Sequence, residues 1–221
     1  MSAIDDDIVG IVDIEDPDTG TSSLVEIEWI GLDHALEGPR HKTRGANSTS
    51  IDAFVVAETT SGRRGYLIEW KYVEDYRRDF LLDGNDATRL EWYRASYAAS
   101  SFRSERIPIT AWFYNPFYQI MRQRLLAERM VRNGELGVRE AKVVVVVPDD
   151  NLAYREGITS PVLKAKFKDA RTVEEVVLAA IDQPGPALAC LSPSTIADAV
   201  RRQCGNELIE WSEYLEDRYG W

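Results

Sequence analysis

The chain has 221 residues, 44% of them hydrophobic and 29% charged, with a net charge of −11. That suits one domain with a sizeable core, or one domain with an appended subdomain; no apolar run spans a bilayer and the start, MSAIDDDIVG, lacks the basic end and apolar middle of a signal peptide, so a cytoplasmic protein is expected. Two cysteines (Cys190, Cys204) without a CxxC spacing and two histidines (His34, His41) disfavour a disulfide framework, a zinc site and a Ser-His-Asp triad.

In chain order, residues 1–39 come first and hold eleven acidic side chains and no Lys or Arg, so the remainder is neutral. The acidic excess argues against bulk nucleic-acid binding by the N-terminus and suits a protein partner there. Residues 1–23 are polar and rich in turn formers, and little order is expected of them. LVEIEWIGL alternates apolar and polar residues as a strand does. EGPRHKTRGANSTS reads as a loop, and a basic one, with Arg40, Lys42 and Arg44. SIDAFVVAE (50–58) and GYLIEWKYV (65–73) are two strands joined through a Ser-Gly turn, a hairpin signal.

Helical spacing follows in 85–100, opened by an Asn-Asp capping signal. The stretch NPFYQIMRQRLLAERMVRNG (115–134) is the clearest helix, with Asn115 as a candidate cap, Pro116 in its first turn and Asn133-Gly134 at its end. KVVVVVP (142–148) is a continuous β-branched run, the mark of a strand covered on both faces in a mixed or parallel sheet. Three more helices are expected over 172–181, 192–203 and 206–220. The order predicts one α/β domain whose sheet is packed by helices.

The hairpin carries charges in apolar surroundings. Side chains alternate along a strand, so Leu67, Glu69, Lys71 and Val73 share one face. If the turn centres between Ser61 and Gly62, Asp52 faces Lys71; if between Thr60 and Ser61, it faces Glu69. Either register puts Asp52, Glu69 and Lys71 on one face, whereas a slip of one residue separates them. Two carboxylates offer hard oxygen ligands for Mg²⁺ (or Mn²⁺), the backbone carbonyl of Trp70 can add a third, and a lysine beside them can orient water or stabilise charge on phosphorus. Those are the parts of metal-assisted phosphodiester hydrolysis. The bland alternative is an ion pair on a half-exposed sheet face, which is the commoner meaning of so short a motif.

Asp52, sixteen intervening residues and Glu69-Trp70-Lys71 resemble the PD-(D/E)xK nuclease superfamily, the restriction-endonuclease-like fold. The stretches STSIDAFVVAETTSGRRGYLIEWKYVEDY and WFYNPFYQIMRQRLLAERMV resemble a group of uncharacterised bacterial proteins regarded as restriction endonucleases of this superfamily. The resemblance implies an α/β fold: a restriction-endonuclease-like core with a central mixed β-sheet flanked by helices and a helical C-terminal part. The segments are then 1–23 as an acidic lead-in, 24–150 as the core and 151–221 as helices packed on it. It implies Asp52 and Glu69 as metal ligands, with Trp70 through its carbonyl, and Lys71 as the catalytic lysine of a Mg-dependent deoxyribonuclease acting in restriction or phage defence. Two departures stand out: Ile51 replaces the motif's proline, and no N-terminal helix offering a further acidic ligand is evident.

For nucleic acid, the candidates are Arg40, Lys42 and Arg44 in the basic loop, Arg63 and Arg64 at the hairpin turn, and Gln119, Arg122 and Gln123 on the long helix, which also carries Arg124, Arg129 and Arg132. Trp112, Phe113, Tyr114, Phe117 and Tyr118 could stack bases, although core packing around the helix entrance is the plainer reading. DNA is the expected substrate and a homodimer is compatible with cutting both strands. The competing function is a catalytically inactive protein of the same fold that serves as a binding or regulatory module.

Overall fold

The computed structural model describes the chain apart from residues 2, 16–19, 33–35, 38–47, 75, 77–79, 83–86, 104, 183–186, 205–207 and 221. The basic loop with Arg40, Lys42 and Arg44, both histidines and the Asn85-Asp86 cap lie outside the described residues.

The described strands are β1 (Ile8–Val12), β2 (Ile14–Glu15), β3 (Ser22–Ser23), β4 (Glu26–Trp29), β5 (Ile51–Thr59), β6 (Gly62–Trp70), β7 (Glu140–Val146) and β8 (Leu188–Leu191). The described helices are α1 (Ala87–Ala98), α2 (Phe117–Asn133), α3 (Leu152–Arg155), α4 (Pro161–Lys166), α5 (Val173–Ala180), α6 (Pro193–Gln203) and α7 (Ile209–Tyr219). Six strands form a mixed sheet in the order β1-β5-β6-β7-β8, with β4 also paired to β5. The architecture is α/β, a central mixed sheet flanked by helices, consistent with a restriction-endonuclease-like core.

The hairpin of β5 and β6 is antiparallel and pairs Thr59 with Gly62 and Ala53 with Ile68. Its turn therefore centres between Thr60 and Ser61, and the register runs on to set Asp52 beside Glu69. Gly65 lies opposite Val56, where a Cβ would come 3.1 Å from the ring of Phe54. β6 then pairs in parallel with β7, and β7 with β8, so each needs a crossover, the first made through α1 and α2. β7 is the valine run, buried through all but its first residue because both faces are covered.

On one face, Phe54, Val56, Leu67, Val143 and Val145 pack with Ile120, Met121 and Leu125 of α2. On the other, Val55, Ala57, Tyr66, Val144 and Val146 pack with Met1, Ile4, Ile8 and Ile196. The second face corrects one expectation. The N-terminal segment, read as having little order, supplies β1, which pairs Val12 with Val56 and Ile8 with Thr59 along the outer edge of β5. Its acids are not idle: Asp5 and Asp7 bond Arg64, and Asp5 also bonds Lys142.

α2 ends as expected, Gly134 taking the left-handed conformation (φ 64°) that closes a helix and that side chains resist. Its start differs. Pro116, not Asn115, occupies the capping position, no side chain caps the helix, and the side-chain oxygen of Asn115 is buried without a hydrogen-bond partner. Trp112, Phe113 and Phe117 are fully buried in the aromatic core at this entrance, which removes them as base-stacking candidates.

Candidate active site

β6 carries its charges at the end where it leaves the sheet. Glu69 is its penultimate residue. Lys71 follows the strand, and its N–H still donates to the Val146 carbonyl at 2.8 Å, so its side chain keeps the alternation and returns to the face of Glu69. The ammonium of Lys71 lies 2.6 Å from Glu69 Oε1 and 4.0 Å from Glu74 Oε1. Asp52, near the start of β5, accepts the Trp70 N–H at 2.8 Å. One backbone bond therefore ties the first carboxylate to the peptide between the second carboxylate and the lysine.

Glu69 and Lys71 are only 6% and 7% exposed. Burial raises the Glu69 pKa; the Lys71 charge opposes this and the Asp52 charge adds to it, and the net shift is upward. Burial alone would lower the Lys71 pKa, but Glu69, Tyr76 and Glu74 overcome it and hold the ammonium charged.

Above these groups lies a polar cleft of about 310 Å³, lined by Asp52, Glu69 and Lys71 from the hairpin, Ser48, Thr49 and Ser50 from the segment before β5, and Gln119, Arg122 and Gln123 from α2. The three helix residues fall at i, i+3 and i+4, one face of α2. Gln119 accepts a bond from the Tyr76 hydroxyl at 3.0 Å. Gln123 is 3% exposed, and its side-chain oxygen has no hydrogen-bond partner.

Arg122 is tied down. Its Nε donates to Thr49 Oγ1 at 2.9 Å, Nη2 donates to Glu37 Oε1 at 3.3 Å, and the guanidinium lies 5.2 Å from the ring centre of Tyr118. Glu37 also accepts from Tyr93 and from the Thr49 N–H. This network pins the rim of the cleft to α1 and α2.

The hairpin-turn arginines are not at the cleft. Arg64 lies on the opposite face, 7% exposed, bonded to Asp5, Asp7 and Glu140. Arg63 shares the face of Glu69 but stands six residues back along β6, about 20 Å away at ~3.3 Å per residue. It bonds Glu58 and the Leu136 carbonyl. Arg124 is also structural, its Nη1 bridging the Ala141 and Ala187 carbonyls at the starts of β7 and β8. Sequence reasoning missed Thr49, Glu74 and Tyr76, although all three stand in the stretches of sequence that carry the motif.

The donor set can be tested against a hard divalent cation. Such an ion takes oxygen ligands and keeps several waters. Asp52 and Glu69 supply carboxylate oxygens, and the unpartnered Gln123 oxygen adds an acceptor in the same cleft wall. These residues fit Mg²⁺ or Mn²⁺ chemically. The fit is lean: among the described residues no group of three or more His, Cys, Asp or Glu side chains is placed to hold a metal.

A family model described as REase-ARP, "Restriction Endonuclease associating with ARP", matches residues 4–220. No curated protein and no solved structure matches the chain.

Proposed function

We propose that this chain, which belongs to the REase-ARP family of restriction endonucleases, is a PD-(D/E)xK-type nuclease that hydrolyses DNA phosphodiester bonds with Mg²⁺ or Mn²⁺. The observation that supports this best is the meeting, in one polar cleft, of Asp52, Glu69 and Lys71 with Gln123, whose buried side-chain oxygen has no hydrogen-bond partner. A structural ion pair has no use for an open polar cleft above it, nor for a buried acceptor left without a donor.

In this reading Asp52 and Glu69 hold the cation, with the Trp70 carbonyl as a further oxygen. When bound, such an ion polarises a phosphoryl oxygen and acidifies a water. Lys71 has two tasks that need no rearrangement. Its ammonium, held charged by Glu69, orients the attacking water and stabilises the negative charge that builds on the phosphoryl oxygens. Asp52 fixes the strand end through the Trp70 N–H, which keeps Glu69 and Lys71 in register with it. Gln119, oriented by Tyr76, would hydrogen-bond the nucleophilic water or a substrate oxygen. Arg122 acts as a positioning residue, because Glu37 and Thr49 already engage its guanidinium.

The family description speaks of association with ARP, which supports a protein partner in the working assembly. It equally supports a role in restriction or phage defence. No helix among the described residues is long and apolar enough to cross a membrane, and a cytoplasmic site of action is proposed with the rest.

The test is cleavage of supercoiled plasmid and of linear single-stranded DNA with Mg²⁺ or Mn²⁺, beside Lys71→Ala. Metal-dependent cleavage that the variant lacks is expected. Cleavage that survives in the variant would remove Lys71 from the chemistry. A folded wild type that cuts neither substrate would favour a binding or regulatory module on the same fold.

A further inference from the structure

The polar cleft does not stop at α2. A second hollow of about 370 Å³ adjoins it, and Ser48, Gln119 and Arg122 line both. Its other walls include Arg89 and Trp92 of α1, and Asn115 and Tyr118 at the entrance to α2. The volume falls within the range of about 300–1,000 Å³ usual for ligand sites.

The lining chemistry is selective. The charged side chains found in this second hollow are Arg89 and Arg122, both cations, on a protein of net charge −11. Three aromatic residues, Trp92, Tyr93 and Tyr118, line it beside them. The buried oxygen of Asn115, without a hydrogen-bond partner, lies in the same wall and adds a polar amide. Cations with flat rings and one amide are the components that grip an unpaired nucleotide: phosphate on the cation, base on the ring, amide at the base edge. A basic or purely aliphatic ligand finds no comparable match, since the rings and cations occur together.

We propose that this second hollow is a subsite for the nucleotide flanking the scissile phosphate, with its base against Trp92 and its phosphate at Arg89. The proposal rests on the nuclease reading of the first cleft. It adds that the substrate strand enters over the N-terminal half of α2, between α1 and α2, and that it is unpaired there. Stacking on a ring tolerates any base, so this subsite sets strand state rather than sequence.

The test separates the subsite from the catalytic cleft. Binding is measured by fluorescence anisotropy with a labelled single-stranded oligonucleotide of about eight nucleotides, in EDTA so that no cleavage occurs. Trp92→Leu and Arg89→Gln are each expected to weaken binding about 10-fold, and Trp92→Phe to retain it. Arg89 is exposed, so its variant keeps the test open if Trp92→Leu fails to fold. Wild-type affinity in a folded Trp92→Leu and in Arg89→Gln would overturn the subsite. Hydrolysis of bis(p-nitrophenyl) phosphate with Mn²⁺ by the wild type reports on the catalytic cleft alone. A wild type that hydrolyses this small diester but binds no oligonucleotide also overturns the subsite, and leaves the nuclease reading standing. Oligonucleotide binding lost in the variants, with no diester hydrolysis by the wild type, keeps an unpaired-nucleotide site at Trp92 and Arg89 but overturns its place beside a scissile phosphate together with the nuclease reading.

Discussion

On the face of the sheet covered by the N-terminus, Asp5 accepts bonds from Arg64 at 2.9 Å, Tyr66 at 2.8 Å and Lys142 at 2.5 Å, and Arg64 also bonds Asp7 and Glu140. On the face covered by α2, Glu69 and Lys71 pair beneath an open polar cleft, with Asp52 beside them and the Gln123 oxygen unpartnered. Both clusters bury charge on the same strand, β6. They differ in how completely the charges answer one another. Burial raises the Asp5 pKa, but Lys142, Tyr66 and Arg64 outweigh it and the net shift is downward, whereas Glu69 ends up raised despite its lysine. A cluster that satisfies itself stabilises the fold. One left short of counter-charge, and open to solvent on one side, is the arrangement expected where chemistry is done.

The sharpest way to break this contrast is to replace both charges of the α2 face. Glu69→Gln with Lys71→Met should lower metal-dependent DNA cleavage by at least about 100-fold. The same double change should leave the melting temperature unchanged or raise it, because a buried pair replaced by neutral groups of similar volume costs little. Plasmid cleavage and a thermal melt on one preparation read both. An unchanged cleavage rate would reduce the cluster to an ion pair.

The opposite cluster should answer the other way. Asp5→Ala leaves Lys142 buried without its partner and takes one carboxylate from Arg64. A loss of about 3 kcal/mol of stability is expected in urea unfolding, with cleavage by the folded fraction unaltered. Near-wild-type stability would mean that Asp7 and Glu140 suffice for Arg64 and that water solvates Lys142.

The acid limb of stability offers a subtler probe of the same aspartate. Its pKa in the folded chain lies below the ordinary 3.8, so the unfolded chain binds more protons there. The stabilisation is fully present above the unfolded value and is lost as pH falls through the folded one. Between about pH 4 and pH 2, wild-type stability should therefore fall more steeply than that of Asp5→Asn. Parallel curves would show that other carboxylates set the acid limb.

Much of the α2 face was legible from periodicity. Alternation along 65–73 put Glu69 and Lys71 together, and the turn at Thr60-Ser61-Gly62 allowed two registers that keep Asp52 with them, without ruling out the one-residue slip that separates them. The observed pairing takes the register in which Asp52 stands beside Glu69. The N-terminal face was not legible. β1 is five residues among acids whose partners, Arg64 and Lys142, lie 57 or more positions away in sequence. Composition reports the acids but not the cations that bury them. β8 is four residues with no alternation to betray it. Arg63 and Arg64 were drawn to the site by nearness in sequence to the hairpin, yet a strand carries them to its far end. Arg64 also points to the other face. For Gln123 the helical spacing gave the position, but its lack of a partner is a property of packing that no spacing reveals.

That residue gives the finest test of the contrast. A buried amide oxygen without a donor costs about 1–3 kcal/mol relative to a satisfied one, and Leu fills nearly the same volume without the polar atom. If Gln123 serves only the fold, Gln123→Leu gains stability and changes nothing else. If its oxygen belongs to the reacting site, the variant should still unfold about 1 kcal/mol later, and cleavage should drop with a higher metal concentration needed for half-maximal rate. Stability and function then move in opposite directions on a single substitution. On the self-satisfied face, where every change removes a made bond, no substitution at Asp5 can produce that divergence. A metal titration beside a urea melt decides between the two, because a purely structural glutamine leaves the metal requirement where it was.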